Sequence, residues 1–261
     1  VVASANYAAP RMGYIALKSN GAEVRFRDLR LEALRSTDPA PYEIAREARG
    51  FTSLYNGGGL STHWEMKPGH RGHWTAQNWR INYDGASEAD DKSLWTRRAY
   101  GNFTLIADMR FTRAPEPDSL PVVLPDGSDA TDGQGNPVLV EVPYAGDTGI
   151  YVRGSSKNQI NMGNRYIGSG EIYGYRVDES MPPEVRRGVV PRVKADNPAG
   201  EWNRYIITMD GSRITVELNG HVIIDNVRLP GIAETGKIAL QDDHASGNRF
   251  QFGNLYIKEL D

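Results

Sequence analysis

An antiparallel β-sandwich is the fold class this sequence predicts, and three observations predict it. Short runs of β-branched and aromatic residues recur between turns of Gly, Asn, Asp and Pro, the rhythm of an all-β chain. Two of these runs, residues 213–218 and 221–225, flank Asn219-Gly220, the strongest short-range hairpin signal, because both turn positions need positive φ. Helical periodicity is nearly absent: residues 41–49 hold a few good helix formers but little amphipathic length, enough for a short linker helix at most. A sandwich of 261 residues is routinely one domain, so one main domain is expected.

Along the chain, the opening Val1-Val2-Ala3-Ser4-Ala5-Asn6 carries an Ala-x-Ala pattern like a signal-peptidase site, without a charged region or a full apolar region before it. Residues 13–18 and 24–34 echo residues 236–241 and 250–260, so both pairs read as closing hairpins of one repeated design. A lone two-stranded hairpin is marginal in water, so residues 1–35 must pack on something. The ribbon belongs either to a preceding sister domain, or another partner chain, or to the outside of the main sandwich. Residues 36–50, with two prolines and mixed charges, read as a linker, and residues 51–261 as the sandwich. Within it, residues 103–111, 149–153 and 204–209 read as strands. Residues 113–143 break the rhythm with Pro, Gly and Asp, and are expected to be a long loop, either a rim over a site or a solvated insertion.

Several classes of function are disfavoured. A net charge of -3, with no Lys/Arg stripe interleaved with aromatics, offers nothing general to a nucleic acid. No apolar run approaches the roughly 18–20 residues of a membrane-crossing helix. Cysteine is absent, which removes disulfides, thiolate catalysis and Cys-ligated zinc. His63, His70 and His73 lack the i, i+4 spacing of a zincin, and Pro68-Gly69 between them argues for a loop. Asp126, Asp129 and Asp132 could offer oxygens to calcium, but their spacing departs from a calcium loop, so no cofactor is expected.

The strings Phe51-Thr-Ser-Leu-Tyr-Asn-Gly57, Leu94-Trp-Thr96 with Tyr100-Gly-Asn-Phe103, Asp147-Thr-Gly-Ile-Tyr-Val-Arg153, Gly200-Glu-Trp-Asn203, Leu218-Asn-Gly220 and Leu240-Gln241 with His244 span nearly all of residues 51–260. Together they resemble the bacterial 3-keto-disaccharide hydrolase family. The resemblance implies a concanavalin-A-like, glucanase-like jelly roll that acts on glycosides oxidised at C3, with a carbohydrate partner and export to the periplasm or beyond. Where members of that family often read Tyr-Glu-x-Gln, this chain has Ser156-Lys157-Asn158-Gln159, and the missing glutamate shifts attention to Glu171.

Glu171 stands in Gly-Ser-Gly-Glu, where small neighbours permit close approach, and precedes Tyr173 and Arg176; it is the first candidate base. His244, just past a strand end, is the rival, since a histidine titrates near neutrality. Arg153 ends an apolar strand, and its fixed fork suits a sugar oxygen or an enolate; an ion pair with Asp147 or Glu171 is the blander expectation. Gln159, Asn161 and Gln241 are amides suited to hydroxyl groups, or ordinary solvent-facing residues. Trp202, Trp64, Trp74, Trp79 and Trp95 are expected in the core more often than on a sugar. A non-catalytic carbohydrate-binding module and an interaction domain stay open beside the enzyme, because sandwiches host all three.

Overall fold

The computed structural model describes residues 17–19, 21, 23–29, 49–55, 57–77, 79–163, 165–242 and 247–261. The first strands are β1 (Thr52–Ser53), β2 (Trp74–Gln77), β3 (Arg80–Tyr83), β4 (Leu94–Tyr100), β5 (Phe103–Phe111), β6 (Glu116–Pro121) and β7 (Leu139–Tyr144). Then come β8 (Asp147–Val152), β9 (Ser155–Gly163), β10 (Asn203–Asp210), β11 (Arg213–Leu218), β12 (His221–Arg228), β13 (Gly236–Leu240) and β14 (Phe250–Glu259). Two short helices, α1 (Tyr173–Arg176) and α2 (Pro183–Gly188), lie between β9 and β10.

Among the described residues the strands form an antiparallel sandwich. The larger sheet runs β12-β11-β10-β5-β14-β3-β2, with β1 also on β14, and the smaller runs β4-β13-β8-β9. Alternation decides which face turns inward. In β5, Phe103, Leu105, Ala107, Met109 and Phe111 enter the core, as do Tyr205, Ile207 and Met209 of β10. From the smaller sheet, Ile150, Val152, Ile160, Met162, Ile238 and Leu240 join the same cluster, so one core fills the space between the sheets. Asn219 and Gly220 turn β11 into β12 with φ of 51° and 83°, the conformation that the Asn-Gly pair predicts.

Two expectations need correction. The long loop is a hairpin ribbon: β6 and β7 pair from Glu116↔Tyr144 to Pro121↔Leu139, and bridges at Val123↔Asp129 and Thr131↔Pro137 extend it. Its prolines are tolerated because Pro117, Pro121 and Pro143 share one parity of the ladder. The alternate parity makes the hydrogen bonds, as where Val122 N–H donates to Val138 O at 2.9 Å. Helix also occurs where none was expected, in α1 and α2, the latter started by Pro183. The expected linker helix of residues 41–49 lies outside the described residues except for Arg49. The N-terminal ribbon of residues 1–35 also lies largely outside them. The described Leu17, Val24, Phe26 and Leu29 are exposed and carry no strand. No helix among the described residues is long and apolar enough to cross a membrane.

Candidate active site

The smaller sheet has an outer face that is polar and yet buried, and its side chains stand in rows. Trp95 of β4, Ala239 of β13, Tyr151 of β8 and Gln159 of β9 are successive register partners and make the first row. Two residues along each strand comes the second row. Gln241 N–H donates to Gly149 O (2.9 Å), Gly149 pairs with Asn161, and Asn161 N–H donates to Glu171 O (2.9 Å). Asp147 opposite Gly163 makes the third. Gly149 is needed here: a Cβ would lie 2.8 Å from Gln159 Cγ and 2.9 Å from Gln241 Oε1. Without it the two glutamines close over the backbone, and Gln159 Nε2 donates to Gln241 Oε1 at 2.6 Å.

Glu171 reaches this face because the chain folds back along β9. Gly168 and Gly170 take φ of 91° and 107°, open to glycine and strained for other residues, while Ser169 N–H is held by Asp196 at 3.0 Å. Ile160 and Ile172 then bridge on the core side, which turns Glu171, one residue earlier, outward beside Asn161. One turn of α1 returns Tyr173 and Arg176 over the same place.

The result is a cluster of two carboxylates and two guanidinium groups. Glu171 is fully buried; its Oε2 accepts from Arg176 Nε, and Arg165 Nε stands 3.4 Å from Oε1, an oxygen with no hydrogen bond. Arg165 Nη2 also lies 3.4 Å from Asp147 Oδ2, whose Oδ1 accepts from Asn161 Nδ2 at 2.8 Å. Asn161 Oδ1 is buried without a partner. Buried polar atoms without a hydrogen bond are uncommon in native proteins, and two of them stand on this face, on Glu171 and on the neighbouring Asn161. Burial lowers the Arg165 guanidinium pKa, but Glu171, Asp147, Tyr173 and Tyr144 outweigh it and hold it above the ordinary value. Burial, then Asp147, push the Tyr144 phenol upward, so it stays neutral. Tyr173 lies with its ring centre 5.6 Å from both the Arg165 and Arg176 guanidinium carbons. Arg176 Nη1 donates to Asp129 Oδ1 at 2.9 Å, so the far end of the β6–β7 ribbon docks on the site as a rim.

Of the residues expected from the sequence, Glu171, Asn161, Gln159, Gln241, Tyr173 and Arg176 come together on this face. Arg153 does not join them. It closes the β8–β9 turn with φ 54°, and its Nη1 donates to Ala233 O (2.6 Å) and Glu234 O and its Nη2 to Gly211 O (3.2 Å). That work is structural, at the opposite end of β8 from Asp147, and it replaces both readings of Arg153: the acids Asp147 and Glu171 pair with Arg165 instead. His244 lies outside the described residues. The residues flanking it reach the site's edge: Asp242 accepts from Tyr83 Oη (2.6 Å) and from Asn248 Nδ2 (3.3 Å), while Asn248 Oδ1 accepts from Asp147 N–H (3.2 Å). Arg165 and Asp147 were missed as site residues. The one available signal was a cation two residues past the end of β9, which propensity does not read.

The acidic residues considered for calcium do not converge. Asp126 and Asp132 close their own turns, accepting from Ser128 N–H (2.9 Å) and Gln134 N–H (2.8 Å), and Asp129 serves Arg176. His70 is buried between Lys67 N–H and Asp91 O, and His73 faces Asp84. Among the described residues, no group of three or more His, Asp or Glu side chains is placed to hold a metal. Trp64 and Trp74 are core, as expected, whereas Trp202 sits on the outer face of the larger sheet with Arg110 4.8 Å from its ring centre.

The fold is thus a jelly-roll-like β-sandwich with a buried cluster of charged side chains on the outer face of its smaller sheet. The chain belongs to the 3-keto-alpha-glucoside-1,2-lyase-like domain family, whose sequence pattern matches residues 50–258. It is the family that the sequence motifs resembled. Two solved structures, both candidate glycosyl hydrolases from Parabacteroides distasonis, share the fold at 19% identity. One has a TM-score of 0.53 over 81% of this chain and 84% of its own; the other has 0.52 over 85% and 98%. No curated protein matches the chain.

Proposed function

We propose that this protein cleaves 3-keto-glycosides, including 3-keto-disaccharides, by removing the C2 proton, expelling the C1 substituent and adding water. The supporting observation is the convergence of Glu171, Arg165, Arg176 and Asp147 around two buried oxygens that make no hydrogen bond. In this reading Arg176 holds Glu171 by Oε2, and Oε1 is the oxygen that takes the proton. The C2–H electron pair moves into an enolate across C2, C3 and O3. Arg165, which stays protonated, offsets that developing charge. When the C3 carbonyl re-forms, the pair shifts to C1=C2, the C1–O bond breaks, and the departing oxygen takes a proton. Water then adds at C1 and a proton returns to C2, so the sum is hydrolysis.

Asn161, Gln159 and Gln241 supply amides for the sugar hydroxyls, and the partly exposed Tyr173 ring lies against Arg165 and Arg176. The C3 ketone is indispensable, because without it the C2 carbanion has no oxygen to hold its charge. Two carboxylates flanking the bond, as in ordinary glycosidases, are not required. Purified protein is therefore expected to cleave 3-keto-glucosides and leave their unoxidised parents intact, measured by release of the C1 substituent. Equal rates on both would overturn the elimination reading. Binding of both without cleavage of either would favour a carbohydrate-binding module.

A further inference from the structure

Glu171 is fully buried, so a base there meets a sugar only if part of its surroundings moves. One element around it has weak ties. β6 and β7 pair with each other and with no other strand among the described residues, and β6 is exposed along most of its length. A two-stranded ribbon is marginal by itself, so this one depends on what holds its two ends. At the base, the Tyr144 phenol is an electrostatic neighbour of Asp147 and Arg165. At the far end, Gly127 N–H donates to Leu124 O (2.9 Å) to close a turn, and Asp129 Oδ1 then accepts from Arg176 Nη1 (2.9 Å). Arg176 is the residue whose Nε holds Glu171. The ribbon thus runs past the charged cluster from its Arg165 side to its Arg176 side.

The base is tied covalently to β5 and β8, whereas the far end is held by little. The Asp129 side chain is 48% exposed, and solvent screens its pair with Arg176. Arg176 Nη1 is also 3.4 Å from Gly127 O, a long contact. Gly127, with φ 87°, lies flat on α2, where a Cβ would come within 2.7 Å of Arg186 O. Val123 is buried, but Leu124 at the turn is exposed. A screened ion pair and few buried apolar contacts are what let an element open at small cost. Resting on the reading that the keto sugar meets Glu171, we infer that the β6–β7 ribbon is a strap over the site. Its far end lifts off Arg176 and α2 to admit the sugar and then closes over it.

The chain has no cysteine, so a disulfide clamps the strap without competing thiols. A Cβ on Gly127 would stand 3.4 Å from Arg186 Cβ, close to the disulfide separation of about 3.5–4.5 Å, and a small shift of the turn relieves its contact with Arg186 O. In Gly127→Cys/Arg186→Cys, oxidation is expected to lower kcat/KM on a 3-keto-glucoside about 10-fold or more, and dithiothreitol to restore it. Comparing two redox forms of one protein cancels the effect of the substitutions themselves. Equal activity of the two forms overturns the strap. A second readout needs no turnover: labelling of Glu171 by a water-soluble carbodiimide and an amine, located by mass spectrometry. Oxidation is expected to slow it about 10-fold, and Asp129→Asn, which loosens the far end, to speed it relative to the wild type. The strap is overturned if oxidation leaves labelling unchanged or, should the double variant not fold, if Asp129→Asn does. Labelling that responds as expected, in a protein that cleaves no 3-keto-glucoside, keeps the strap and removes the elimination reading.

Discussion

Glu171→Gln is expected to lower kcat on a 3-keto-glycoside by about 10²-fold or more, the usual worth of a positioned base. Glutamine keeps the size of the side chain and an oxygen for Arg176 Nε, but removes the basic lone pair at Oε1. Binding of the keto sugar, followed by tryptophan fluorescence, separates this loss from a collapse of the site, because a missing base leaves binding measurable and a collapsed pocket does not. His244→Ala is the competing experiment. Undiminished turnover in Glu171→Gln with loss in His244→Ala would move the base to the histidine and leave Glu171 as the anchor of the arginine pair.

Arg176→Met carries the largest expected effect on stability. The arginine side chain is 4% exposed and Glu171 fully buried, so the substitution leaves a buried carboxylate with only the more distant Arg165. Breaking a buried pair from one side costs about 3–5 kcal/mol, most of it from the stranded charge. The unfolding free energy from urea titration should fall by that amount, and adding Glu171→Gln to Arg176→Met should recover part of it. Asp129→Asn should matter much less, because its carboxylate is half exposed and solvent screens the contact. A cost below about 1 kcal/mol for Arg176→Met would mean that the pair is not shut away from water as described.

The fold was largely legible because its strands obey a short-range rule. Residues 103–111 and 213–218 become β5 and β11 with the bounds that alternation suggested, and Asn219-Gly220 makes the turn it encodes. The ribbon of residues 116–144 was not legible. Its prolines argue against strands until one sees that they share a single parity of an isolated hairpin. The site was legible in part. Glycines around Glu171 pointed to close approach, and Gln159, Asn161 and Gln241 read as amides suited to hydroxyl groups or as solvent-facing residues. Arg153 drew attention because it ends an apolar run, whereas Arg165 follows the polar strand Ser155–Gly163 and gave no such signal. Their fates depend on which loop carbonyls and carboxylates the tertiary fold brings near, and no local pattern encodes that.

The central claim is that the C2–H bond breaks before the glycosidic bond. A 3-keto-disaccharide carrying deuterium at C2 tests it directly. It is cleaved in ordinary water, and the released 3-keto-hexose is read by mass spectrometry at early times against an enzyme-free exchange control. The account predicts that the product has lost its label to solvent and that the labelled substrate reacts more slowly than the unlabelled one. Full retention of deuterium at C2, with equal rates for the two substrates, would contradict it.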